Sequence, residues 1–110
     1  MEYVQGNIFV REMRFEKAGD VVAGHAHNFP HTTYIPHGAA LFEALDAAGQ
    51  VLRSVVKRAS DGFNFVLIEA GVCHRITALD DNTICHCIYA HRDPQGDVQQ
   101  EYDGWSPGYV

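Results

Sequence analysis

The chain has 110 residues, which is enough for one domain with a real core. A hydrophobic fraction of 46% lies in the globular range and excludes a disordered or fibrous protein. Eight Lys and Arg against fourteen Asp and Glu give a net charge of -6, and no basic cluster offsets this repulsion of phosphate backbones, so nucleic acid is not expected as a partner.

The start, Met1-Glu2-Tyr3-Val4-Gln5, shows no basic region followed by an apolar stretch, and no apolar run approaches membrane-spanning length. Residues 8–15 form the first predicted strand, ended by a turn at Gly19-Asp20. His25 and His27 are two apart, a spacing that on a strand points both to one face with Ala26 opposite. Residues 32–35, rich in β-branched and aromatic types, form another strand, interrupted by Pro36-His37-Gly38. Residues 39–45 permit a strand, although their alanines and leucines also allow a helix. A strand is favoured because a Gly-containing loop links them to the strand-like run 51–57, which makes a hairpin.

Further strands are predicted over 63–68 and 75–79, separated by a break at Ala70-Gly71. Asp80-Asp81-Asn82 then closes a hairpin with 83–90. In that last strand Ile84, His86 and Ile88 share one face and Cys85, Cys87 and Tyr89 the other; alternation does not say which face is interior. Residues 91–110 are polar and read as an extended tail held by Tyr102, Trp105 and Tyr109. Seven or eight short strands with frequent turns make a single all-β domain over 1–110, a sandwich or barrel.

Cys73, Cys85 and Cys87 are odd in number and lack a framework spacing, so a reducing, cytoplasmic setting is expected. The aromatic tail and the edge strands of a small barrel point to a homodimer. Histidine is the most informative residue type. His25, His27 and His31 fall within seven residues, and His74 follows Ala70-Gly71-Val72-Cys73. Imidazole suits iron, nickel, copper and zinc, so a convergent set of three or four would hold a divalent ion. The direction of His31 depends on the turn at Asn28-Phe29-Pro30, and spacing alone cannot place His74.

The run Gly19, His25-Ala26-His27, His31, Gly38 resembles the first motif of the cupin superfamily, with His31 standing where that family has glutamate. Gly71-Val72-Cys73-His74 is similar to its second motif, although Glu69 replaces the usual proline, Ala78 the asparagine, and Gly62 is one residue out of register. Motifs and intervening strands span Gly19 to Ala78, and the next strand extends the likeness to about Ala90.

The resemblance implies a double-stranded β-helix, or jelly-roll barrel, with one divalent transition metal (Fe, Ni, Zn, Mn or Cu) at an open end. It makes His25, His27 and His74 ligands and offers His31 as a fourth, or as a hydrogen-bond donor behind them. Imidazoles leave the full charge of the ion in place, which favours an anionic or enolisable substrate. The function implied is a mononuclear oxidoreductase, dioxygenase-like, acting on a small anionic or dicarbonyl compound. A metal-dependent isomerase and a non-catalytic binding or sensing module are the alternatives; a chain this short has no second domain to pass on a signal. Phe29, Tyr34 and Glu69 are candidate pocket residues, Glu69 as a possible general base, and His86 joins them if its face turns inward. Arg75 faces away from His74 and should form an outer salt bridge, while His37 should be solvated.

Overall fold

A computed structural model describes residues 1–99, for His25 the backbone only. Among them nine strands form: β1 Glu2–Gln5, β2 Ile8–Phe15, β3 Val21–His25, β4 His31–His37, β5 Ala39–Leu45, β6 Val51–Arg58, β7 Phe65–Ile68, β8 Cys73–Ala78 and β9 Thr83–Ala90. They make two antiparallel sheets, ordered β1-β2-β9-β4-β7 and β3-β8-β5-β6. No helix among the described residues is long and apolar enough to cross a membrane. Residues 39–45 are strand, and their pairing from Ala39↔Arg58 to Leu45↔Val51 is the expected hairpin.

The two sheets face each other as a jelly-roll barrel, and alternation decides what each strand buries. In β9, Thr83, Cys85, Cys87 and Tyr89 are buried and the intervening residues only partly so. In β4, His31, Thr33 and Ile35 are the buried set. The core joins Met13 and Phe15 of β2, Ile35, Phe42, Ile68 and Ile76 to Cys85 and Cys87. Ile35 and Ile76 have almost no exposed surface, and burial of such a side chain contributes about 1.5–3 kcal/mol. Burial also pushes the Cys85 thiol up to about 12, so this residue packs as a small hydrophobe and is no thiolate ligand.

Several boundaries differ from the predicted ones, each for a local reason. β1 lacks an inward face and so any alternation; the signal that could have found it is the two-residue Gly6-Asn7 turn between Tyr3-Val4 and Ile8. Pro36 does not end β4, because a register shift between Tyr34 and His37 absorbs it. β3 shifts register between Val22 and His25 and ends there, so His27 lies beyond the strand and strand alternation does not set its direction. The described part of the expected tail is a small hairpin with an Arg92↔Val98 bridge, latched to the Asn7 side chain, which accepts from Arg92 N–H at 2.7 Å. Tyr102, Trp105 and Tyr109 lie outside the described residues.

Candidate metal centre

One end of the barrel gathers three histidines. His31 opens β4, His74 is the second residue of β8, and His27 follows the end of β3. A turn at Asn28-Phe29-Pro30 carries the chain from His27 into β4, and Pro30, which has no N–H, suits a segment outside the ladder. Gly71 adopts φ +78 just before β8 and donates its N–H to the His27 carbonyl at 2.7 Å. That bond ties the early histidine segment to the late one. A side chain other than glycine would strain this backbone.

The ligand nitrogens of His27, His31 and His74 all lie within 4.8 Å of one another. All three residues are buried, with 1%, 3% and 3% of their surface exposed. Ring centroids are 4.7 Å apart for His27–His31, 5.1 Å for His27–His74 and 5.6 Å for His31–His74. Two nitrogens held by one ion at about 2.1 Å each stand no more than roughly 4.2 Å apart. The triad therefore needs only a slight inward adjustment to share an ion, and its donor set suits a divalent transition metal. His74 Nδ1 lies 3.2 Å from the Val72 carbonyl; assigned as the donor there, it presents Nε2 as the ligating atom.

Aromatic rings close the other sides. Phe29 packs on His27 at 5.4 Å and on Tyr89 at 4.6 Å, and Tyr89 stands 6.3 Å from His31. Phe29 is thus a wall of the site. Tyr89, which sequence reasoning passes over, is another; its only sequence signal is the face it shares with Cys85 and Cys87. A cleft of about 160 Å³ reaches His74 from the side, between edge strands β6 and β7.

The other candidate residues fall elsewhere. The inward alternative for His86 does not hold: β9 turns its cysteine face to the core, so His86 points out and donates to Glu12 at 2.9 Å. The hydrogen bonds from His86 and then Arg14 hold the Glu12 carboxyl below its usual range. Tyr34 is directly opposite His86 and stacks on Phe65 at 4.8 Å, so it is an outer-face residue and not a pocket wall. Glu69 borders the cleft but is largely exposed, 4.0 Å from Arg53. Arg75 does pair with Glu43, at 2.9 Å, and His37 is exposed. The side chain of His25 lies outside the described residues; its backbone is directly across from His74.

No family model and no curated protein matches the chain. Solved structures do. KdgF from Halomonas sp. superposes with a TM-score of 0.65 at 15% identity, over 86% of this chain and 79% of that one. An uncharacterised protein with a double-stranded β-helix domain from Klebsiella pneumoniae gives 0.62 at 16% identity, over 81% and 72%. A variant of the oxalate decarboxylase of Bacillus subtilis gives 0.60 at 22% identity, over 84% of this chain and 24% of that one.

This is a cupin fold. The likeness is one of architecture, and the chain spans only 21–24% of the length of the oxalate decarboxylase chains it matches. Within the cupin barrel, the three-histidine cluster is consistent with a single divalent transition metal ion.

Proposed function

We propose that this chain is a mononuclear, metal-dependent cupin that acts as a dioxygenase-like oxidoreductase on a small anionic or dicarbonyl compound. The observation that carries the reading is the buried triad of His27, His31 and His74, three neutral donors converging at one end of the barrel. His25 is proposed as a further ligand, because its backbone is paired with that of His74. When bound, the divalent ion supplies Lewis acidity and, as iron, dioxygen chemistry. The protein orients and dries the site: the Val72 carbonyl aims His74, and Phe29 and Tyr89 shield the rings from water. Because the described donors are all uncharged imidazoles, an anionic oxygen is attracted more strongly than at a carboxylate-bearing site. Oxalate decarboxylase, whose name specifies a small dianion, supports the same ligand class.

Oxygen uptake by the Fe(II)-loaded protein over a panel of diketones, thiols and phenolic acids tests this reading. One class is expected to consume oxygen in step with its own loss, and His74→Ala to abolish both. Substrate loss without oxygen uptake would identify an isomerase instead. Tight binding with no turnover under any metal would identify a binding module.

The same reading includes a reducing, cytoplasmic setting and a homodimer. Cys73, Cys85 and Cys87, none of them in a disulfide, support the first. Exposed Leu52 and Val56 on edge strand β6 and Leu67 on edge strand β7 support the second. Light scattering is expected to return twice the chain mass, and a monomer mass at micromolar concentration refutes the dimer.

A further inference from the structure

We propose that Arg53 is the carboxylate-binding residue of this centre, and that the cleft between β6 and β7 selects small acids whose other end reaches the histidine triad. The proposal rests on the metal-dependent reading above and adds to it the residue and the charge that choose the ligand.

Strand register places the parts. In the four-stranded sheet, Ala44 of β5 pairs with His74 of β8 on one side and with Arg53 of β6 on the other. Directly opposed residues on paired strands point to the same face. His74 and Phe42 face the barrel interior from this sheet, so Arg53, Ala44 and His74 form one row on its inner surface. Neighbouring strands are about 4.8 Å apart, which sets the backbones of Arg53 and His74 roughly 10 Å from each other. Between them Ala44 contributes a single methyl group. The floor from guanidinium to imidazole is therefore open.

The cleft of about 160 Å³ lies over this floor, with apolar walls from Phe42, Val55 and Val66. Arg53 is the one arginine or lysine among the described residues that line it. Glu43, which also borders the cleft, is engaged by Arg75 at 2.9 Å. Glu69 stands 4.0 Å from Arg53, and both side chains are well exposed, at 66% and 62%. A long, exposed ion pair of this kind contributes little. A ligand carboxylate can instead meet the planar guanidinium with two parallel hydrogen bonds, and so displaces Glu69. The ligand class that fits is an acid with a short apolar spacer between its carboxylate and a pair of chelating oxygens. Arg53 grips the first, the walls cover the spacer, and the chelating end lies at the triad.

The probes are 4,6-dioxoheptanoate and its methyl ester, which share the diketone and differ in the charge at the far end. Metal content is measured first, by elemental analysis, and each probe is then titrated calorimetrically into the metal-loaded protein. The acid is expected to bind wild type at least about tenfold tighter than the ester. Arg53→Gln, on an exposed edge strand, is expected to remove that preference with metal content unchanged, and Arg53→Lys to restore part of it. Glu69→Gln is expected to tighten binding of the acid alone, and Ala44→Leu to weaken both probes by filling the floor. Equal affinity for acid and ester in metal-loaded wild type overturns the proposal, as does a preference that survives Arg53→Gln, or binding of neither probe; in each case the metal reading stands. A wild-type protein that takes up no metal fails the metal reading itself, and the proposal falls with it.

Discussion

Replacement of His27, His31 or His74 by alanine is expected to weaken metal binding by more than about 100-fold, or about 2.7 kcal/mol. The lower bound follows from ligand physics: partners hydrogen-bonded behind metal ligands already cost 10–100-fold when removed, in general experience, and a ligand itself costs more. The three rings are buried among packed side chains, so an alanine leaves a gap where a donor stood. His37→Ala is the control, since His37 is exposed and its Nδ1 lies 2.7 Å from the Asn82 carbonyl, away from the triad. It should retain the metal content of wild type. Elemental analysis and metal titration read the effect directly. Wild type should also lose thermal stability on chelation, because an ion that binds only the folded state stabilises it by mass action, and the triad variants should be insensitive to chelator. Equal, stoichiometric metal in wild type and in all three triad variants would show that the ion is held elsewhere.

Gly38→Ala is expected to be the most damaging single methyl group in the barrel, at roughly 2–4 kcal/mol. Gly38 turns the corner between β4 and β5 at φ +84, where an alanine is strained. Space is the larger problem. An added Cβ would sit 2.4 Å from Thr83 Oγ1 and 2.8 Å from Thr83 Cα. A flexible side-chain tip could retreat, but this Cα belongs to β9, which is paired to β2 and β4. Thr83 Oγ1 also accepts from the Ala39 N–H at 3.3 Å and lies 2.8 Å from the Asp80 carbonyl, so moving it disrupts two elements together. Thermal unfolding should show a fall in Tm on the order of 10–20 °C. Gly49→Ala separates the two causes, since Gly49 has φ +82 but nothing within 4 Å of the added carbon. It should cost only about 1 kcal/mol. Equal losses at the two positions would mean that backbone conformation, and not the contact with Thr83, makes glycine necessary at Gly38.

Strands that carry their own signals are legible in the sequence. Residues 8–15 and 83–90 agree with β2 and β9 from end to end, because each has strong alternation or β-branched content and a turn on either side. The hairpin over 39–58 is readable for the same reason, and its loop decides between strand and helix where propensity is neutral. β1 is not readable from its own residues, since with all four exposed it owes its existence to pairing with β2, and only the Gly6-Asn7 turn after it marks the hairpin. Nor is the end of β3, where a register shift releases His27 from the strand that its spacing implies.

By itself, then, the sequence determined the all-β class, the run of strands and a set of histidines able to bind a metal, all of which depend on neighbours within a few residues. Tertiary structure alone decided that β9 turns Cys85 and Cys87 inward and His86 outward, since its pairing between β2 and β4 selects which face is buried. It also decided that His74 meets His27 and His31, and that Arg53 shares a row with His74 across Ala44. Those contacts join residues far apart in the chain, and their register follows from which faces of distant strands are buried together, a quantity that no local window contains.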